Sequence, residues 1–398
     1  MKLPLLLDGA TGSNLIKAGM PKGCCVEQWV LEHPDVMVSL QGEYEKAGSD
    51  VVYAPTFGAN SAALKHYGLS DKVAELNKDL VKLSKSAVSD KVMVAGDLSP
   101  TGLFIAPFGD AQFEEIVEIY TEQVKALYEA GADLIVCETL SNLSDIRAAV
   151  IAAKTVDLPI FVTITVDENG RTMSGTTPLC ALIMLQEMGV AAFGLNCSNG
   201  PENMAVEIEK LKKYAKIPLI AKPNASLPGS ELSPEAFCEG CKKLVDAGAS
   251  IIGGCCGTTP EHIALLRGML DNYGDIKPCE AEEVLAATSE RDVYFLDRDN
   301  LKLSEEIECG FSLEDDLIDI EDDGINVAQV RINTLSDVEI FAESVHMARL
   351  PIAITTDSAD VLQAALRSYQ GRAIVNTNVE MDENILCEIA SKYGAIIY

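Results

Sequence analysis

Short apolar runs recur along the first two thirds of the chain: LPLLLD, DVVYAPTF, KVMVAGDL, ADLIVCET, PIFVTITV, AAFGLNCS, PLIAKPN and SIIGGCC. Between them lie stretches with apolar positions three and four apart, such as FEEIVEIYTEQVKALYEAG and PENMAVEIEKLKKYAK, which predict amphipathic helices. Several of these helices close on Ala-Gly before the next run, in YEKAGSD, YEAGAD and VDAGAS, where glycine suits a helix C-terminus. Continuous apolar runs alternating with helices predict parallel strands covered on both faces. Eight such units over residues 1–272 match a (β/α)8 TIM barrel, which takes roughly 250 residues. A doubly wound open sheet is the alternative arrangement.

The pattern then changes. Residues 273–292 read as a linker, and beyond it the runs VYFLD, LIDIEDDG, NVAQVRIN, LPIAITTD, GRAIVNT and GAIIY alternate with helical stretches such as SADVLQAALRSY and DENILCEIASKY. This second part, residues 293–398, is again α/β but too short for another barrel. The expected fold is α/β: a (β/α)8 barrel, a linker and a smaller acidic α/β domain.

Charge narrows the function classes. Net charge is −30, from 61 acidic against 31 basic residues, which argues against a nucleic acid or an anionic membrane as partner. The acids concentrate in residues 281–398, with 25 against 8 bases. Solubility accounts for this, and docking of a basic partner is the other reading. No apolar run approaches the roughly 18 residues of a membrane span. The opening MKLPLLLDGATG runs straight into an Asp-Gly turn and reads as a first strand rather than an export signal. Twelve cysteines in such a chain predict a reducing cytoplasm, with thiols or metal in place of disulfides.

In a (β/α)8 enzyme the site is built at the C-terminal ends of the strands. Those ends are Asp8-Gly9-Ala10-Thr11-Gly12, Pro55-Thr56-Phe57-Gly58, Cys137-Glu138-Thr139, Asn196-Cys197-Ser198, Lys222-Pro223-Asn224 and Gly254-Cys255-Cys256-Gly257. Strands 6 and 8 lie near each other, so Cys197 can face the adjacent pair Cys255 and Cys256. Three thiolates suit Zn²⁺ in tetrahedral geometry and leave a fourth position for a substrate. Any one of these cysteines alone would read as a buried small residue. Cys238 and Cys241 form a CEGC spacing inside a helical pattern with no second pair, so packing is the expected role. Cys24 and Cys25 fall in a loop near the mouth and receive no role, and Cys137 is expected to pack behind Glu138. His262 sits in a helix start with Thr258 or Thr259 as N-cap and Pro260 at its first position, and is not expected to ligate.

The set DGATGSNL, APTFGAN, CETL, GLNCSNGPENM, AKPNA and GGCCGTTPEHI resembles the homocysteine S-methyltransferase family. It is most similar to the homocysteine-binding barrel of cobalamin-dependent methionine synthases. The resemblance covers roughly residues 1–272 and implies that Cys197, Cys255 and Cys256 are zinc ligands. It further implies that Glu138 accepts from the ammonium of homocysteine, with the turn at Asp8-Gly9 holding the amino-acid end. Backbone groups near Gly9, with Thr56, would take the carboxylate.

The C-terminal part is similar to a stretch of pterin-binding barrel, with Asp357 and Asn376 at polar positions around the folate, although the first strands of such a barrel are missing. No corrinoid-binding segment of the DxHxxG type occurs. The resemblance therefore implies a methylated corrinoid on a separate protein as donor. A small donor such as S-methylmethionine or a betaine, and a non-catalytic zinc-binding scaffold, are the other readings.

Overall fold

A computed structural model describes residues 2–105, 108–227, 229–277, 279–320 and 324–398. The chain divides into two compact units. The first takes the residues up to Ile105, Gly109–Met173 and Val190–Ala281, and the second takes Phe108, Ser174–Gly189 and Glu282–Tyr398.

The main sheet of the first unit has eight strands: β1 (Leu5–Leu6), β2 (Val51–Tyr53), β3 (Met93–Leu98), β4 (Leu134–Leu140), β5 (Ile160–Ile164), β6 (Ala192–Asn196), β7 (Leu219–Lys222) and β8 (Ala249–Ile252). They pair in parallel in chain order from β2 to β8, and β8 then pairs with β1. A parallel bridge between Leu7 and Val51 joins β1 to β2, so the sheet closes on itself. This is the (β/α)8 barrel expected from eight apolar runs. The helices between them follow the three-and-four spacing: Phe113–Glu129 buries Ile116, Val117, Tyr120, Val124 and Leu127.

What matters for the site is the inside of the barrel. Leu7, Tyr53, Ala95, Val136, Phe161, Ala192, Ile220 and Ile251 belong to one buried cluster. Side chains alternate along a strand, so the residue two places further on points to the same face. That rule carries Asp97, Glu138, Thr163 and Lys222 to the head of the barrel interior, above Ala95, Val136, Phe161 and Ile220. On β8 the same step leads to Gly253, where an added Cβ would lie 2.8 Å from the Leu7 Cβ and 3.2 Å from the Lys222 Cγ. Glycine there leaves room for the lysine.

The second unit contains a parallel sheet of five strands in chain order, from Ile307–Glu308 through Ala328–Arg331, Ile352–Thr355 and Ile374–Val375 to Ile396–Ile397. An antiparallel hairpin of Leu285–Thr288 with Val293–Leu296 precedes it. The first hairpin strand falls inside the stretch read as a linker; its Ala286, Ala287 and Thr288 are fully buried but too small to give a hydrophobic signal. The run LIDIEDDG, read as a strand, begins in the helix Leu313–Ile318, where Leu313 and Leu317 are buried four residues apart. Residues 321–323 of that run lie outside the described residues. No helix among the described residues is long and apolar enough to cross a membrane.

Candidate active site

Backbone geometry at the ends of β6 and β8 brings three thiols together. Cys197 follows β6 with φ 60°, and Ser198 has φ 54°. Both lie in the left-handed region that non-glycine residues rarely adopt, and such strain concentrates at functional sites. The Cys197 N–H donates to the Lys222 carbonyl at 3.1 Å. Beyond β8, the Cys255 N–H donates to the Pro223 carbonyl at 2.8 Å, while the Cys256 carbonyl accepts from Ala225 and Ser226 N–H. Gly257 then turns at φ 85°, where a Cβ would lie 2.5 Å from that of Ser226. Neighbouring cysteines that would diverge on a strand therefore converge.

The three Sγ atoms of Cys197, Cys255 and Cys256 lie within 4.8 Å of one another, with 3.9 Å between Cys197 and Cys256. A tetrahedral ion about 2.3 Å from each sulfur sets its ligands about 3.8 Å apart, so the donor set fits such an ion. Two amides support it. Asn224 Nδ2 lies 3.7 Å from Cys197 Sγ, while its Oδ1 accepts from the Cys256 N–H at 3.0 Å. Asn196 Nδ2 lies 4.0 Å from Cys255 Sγ. Hydrogen bonds from Cys255 and then Cys256 hold the Cys197 thiol far below its ordinary range, and donating to Cys197 raises the other two. A divalent cation held by Cys197, Cys255 and Cys256 would displace their thiol protons.

Next to the triad opens a cavity of about 470 Å³, lined by Asp8, Gly9, Tyr53, Asp97, Glu138, Lys222 and the cysteines, among others. Its floor is ionic. Lys222 Nζ is buried 3.3 Å from Glu138 Oε2, 3.5 Å from Asp8 Oδ1 and 3.6 Å from the centre of the Tyr53 ring. Burial works against this ammonium, but Glu138, Tyr53 and Asp8 outweigh it and the charge is held firmly. Asp8 Oδ2 accepts from the Tyr53 N–H at 2.8 Å. Burial pushes the Asp8 carboxyl up to about 6, with Lys222 opposing the rise. Gly9 is required in its place, since a Cβ would sit 2.7 Å from Tyr44 Oη and 2.8 Å from Thr258 Oγ1.

Of the residues expected from sequence, the structure places Asp8, Gly9, Glu138 and the three cysteines around one cavity. Thr56 is placed differently. Its hydroxyl donates to the Asp97 carbonyl at 2.9 Å and accepts from the Asp97 N–H at 2.9 Å, which leaves it committed to the main chain of β3. The N-cap at the helix Pro260–Tyr273 is Thr259, and His262 Nδ1 lies 2.9 Å from its hydroxyl. Cys238 and Cys241 lie on the helix Pro234–Asp246, apart from the triad. Lys222 and Asp97 had no expected role. Asp97 is the last but one residue of the run KVMVAGDL, so the strand-end rule reaches it, but GDLSP also reads as a plain turn.

A closed (β/α)8 barrel with a thiol triad and an ionic cavity at the C-terminal ends of its strands has the form of a barrel enzyme with a thiolate metal site. The chain belongs to the homocysteine S-methyltransferase family, whose sequence model matches residues 5–270. Among curated proteins it is similar to the methionine synthases of Mycobacterium leprae and Mycobacterium tuberculosis, at 28% identity in each case. Each of these matches takes in 93% of this chain but 35% of the relative, so the chain spans about a third of the length of those proteins. Among solved structures it is similar to the homocysteine methyltransferase MmuM from Escherichia coli. The metallated form has a TM-score of 0.58 and 28% identity, covering 67% of this chain and 96% of that one. The oxidized form has a TM-score of 0.57 and 27% identity, covering 67% and 95%.

Proposed function

We propose that this chain transfers a methyl group to the thiol of homocysteine, giving methionine, with zinc held by Cys197, Cys255 and Cys256. The observation that carries the reading is the thiol triad opening onto a cavity with ionised groups at its floor. The similarity to a homocysteine methyltransferase solved in a metallated form supports it. An unbound thiol has a pKa near 8.5 and is only a few per cent thiolate at neutral pH. Zinc in the triad supplies the Lewis acidity that makes the acceptor's sulfur a thiolate nucleophile.

The chain's own residues bind and orient. Glu138 accepts from the acceptor's ammonium, and the Asp8–Gly12 turn walls the same end of the cavity. The Ala10 N–H is already donated to Thr258 Oγ1 at 2.9 Å, and Thr56 is committed elsewhere. Backbone N–H groups near Gly9 in this turn take the carboxylate. Lys222 holds Asp8 and Glu138 as a fixed pair, so the acceptor meets a preorganised site rather than ordering one. Asn196 and Asn224 orient the triad from outside, as partners of metal ligands generally do.

The donor in this reading is a methylated corrinoid on a separate protein. In support, the likeness to methionine synthases extends over 93% of the chain, past the barrel, whereas the likeness to MmuM covers 67%. A small donor, S-methylmethionine or a betaine, is the second reading. The free thiols suit a reducing compartment, and the cytoplasm is the proposed location.

The acceptor assignment is tested by titrating the zinc-loaded chain with homocysteine and with homoserine, which has a hydroxyl in place of the thiol. One zinc per chain and binding of homocysteine at least about tenfold tighter, worth about 1.4 kcal/mol, are expected. Equal binding of the two, or a chain that retains no zinc, would contradict the assignment.

A further inference from the structure

The head of the barrel interior carries more acid than the acceptor reading uses. Among the described residues lining the cavity, Asp8, Glu138 and Asp97 come from the barrel strands and their ends and Glu27 from the helix Val26–Glu32, against the ammonium of Lys222. Asp8 and Glu138 have Lys222 as partner. Asp97 is only 4% exposed, its Oδ1 has no hydrogen-bond partner, and it lines the cavity. Its register explains the orientation: it lies opposite Val136 on β4 and two residues beyond Ala95, so it stands on the same inner face as Glu138. The neighbours that act on it are Glu138, Lys222, Asp8 and Glu27 as charges, with Tyr53 and Cys137 beside it as neutral groups.

Burial first, and the Glu138 charge second, push the Asp97 carboxyl well above the usual carboxylate range, so this position favours the protonated acid. Among the described residues at the barrel head, Lys222 pairs with Asp8 and Glu138, Glu27 accepts from the Gly58 N–H at 2.7 Å, and Asp97 Oδ1 is left without a partner. An acceptor that brings an ammonium adds a second cation.

We infer that Asp97 is a further residue of the acceptor site, a proton-linked partner of the amino-acid end that gives up its proton as the ammonium arrives beside Glu138. The O–H bond of Asp97 breaks, the proton leaves through the cavity mouth to buffer, and the carboxylate pairs with the incoming ammonium. This inference rests on the homocysteine reading of the cavity and adds to it a specificity element. Ligands lacking the ammonium release no proton and forgo that pairing.

The test is calorimetry on the zinc-loaded full-length chain at pH 7.5 in buffers of different ionisation enthalpy, which counts protons released per ligand bound. Norleucine carries the amino-acid end without sulfur, and homocysteine carries both. Wild-type protein should release close to one proton with norleucine and one more with homocysteine, whose thiol also ionises. Asp97→Asn, an amide of the same shape as the neutral acid, should release about one proton fewer with each ligand and bind each roughly tenfold more weakly. Its thermal unfolding should match wild type. If Asp97→Asn does not fold, the wild-type count with norleucine decides alone, and a count near zero overturns the inference. Homocysteine that binds with equal proton release in wild type and Asp97→Asn overturns it too, leaving the acceptor reading intact. Absence of any homocysteine binding to the wild-type chain overturns both.

Discussion

Replacing any one of Cys197, Cys255 or Cys256 by alanine is expected to empty the metal site and to lower methyl transfer about a thousandfold or more, on the order of 4 kcal/mol in the barrier. The reason is geometric. The three sulfurs converge only because Cys197 stands in the left-handed region and Gly257 turns just after the adjacent pair. Two remaining thiolates do not make up the charge and coordination that three supply. Zinc content after dialysis, measured beside the rate of methionine formation, checks this directly. Both should fall together in each variant. Cys238→Ala serves as the control, because its thiol points to the Leu265 carbonyl at 3.5 Å on a helix and should leave both values at wild type. A triad variant that keeps full zinc with full activity would remove the metal from the mechanism.

The second large effect is expected at Lys222, and it falls on stability as much as on binding. Lys222→Met keeps the apolar stem and removes the ammonium that pairs with Asp8 and Glu138 at the barrel head. Breaking a buried pair leaves an uncompensated charge, which costs about 3–5 kcal/mol and lowers the melting temperature on the order of 10 °C. The loss depends on pH in a definite direction. Burial pushes the Asp8 carboxyl up to about 6 in the folded protein, against 3.8 for an ordinary aspartate, so the folded state takes up its proton first. Its contribution to stability is present below about pH 4 and is lost as pH rises through 6. Without the lysine that folded value moves higher, so Lys222→Met should recover stability on going from pH 8 to pH 6 more than wild type does. Thermal melts across that range check it. Adding Asp8→Asn to the same chain should restore part of the loss at pH 8, because one of the stranded charges is gone. A variant as stable as wild type at every pH would mean that the ion pairs carry no structural weight.

Much of the barrel was legible in the chain because a strand buried on both faces is a continuous apolar run, and eight such runs separated by amphipathic stretches leave few other folds. The triad was legible for a related reason. Cysteines at two strand ends, in LNCS and GGCCG, fall on the rim where barrel sites form, and the flanking glycines mark a sharp turn. Lys222 was visible as a strand end, but its role was not. Only the parity with Ile220, buried in the barrel interior, shows that its side chain turns inward, and only Gly253 shows that space was left for it. Asp97 was missed because an Asp near a strand end, separated from Ser99-Pro100 by one residue, reads as a turn residue. Thr56 illustrates the opposite case: a polar residue at the right strand end whose hydroxyl is committed to the neighbouring strand. In the second unit, the strand Leu285–Thr288 escaped notice because alanines bury well without signalling it.

The most direct measurement is a single turnover of the zinc-loaded, full-length chain with homocysteine, offering methylcobalamin in one reaction and S-methylmethionine in another. Methionine formed from methylcobalamin within one turnover, and absent in Cys255→Ala, is the predicted result. Methionine from S-methylmethionine alone would keep the acceptor site and replace the corrinoid donor by a small one. No methionine from either donor, with zinc and homocysteine both bound, would contradict methyl transfer at this site.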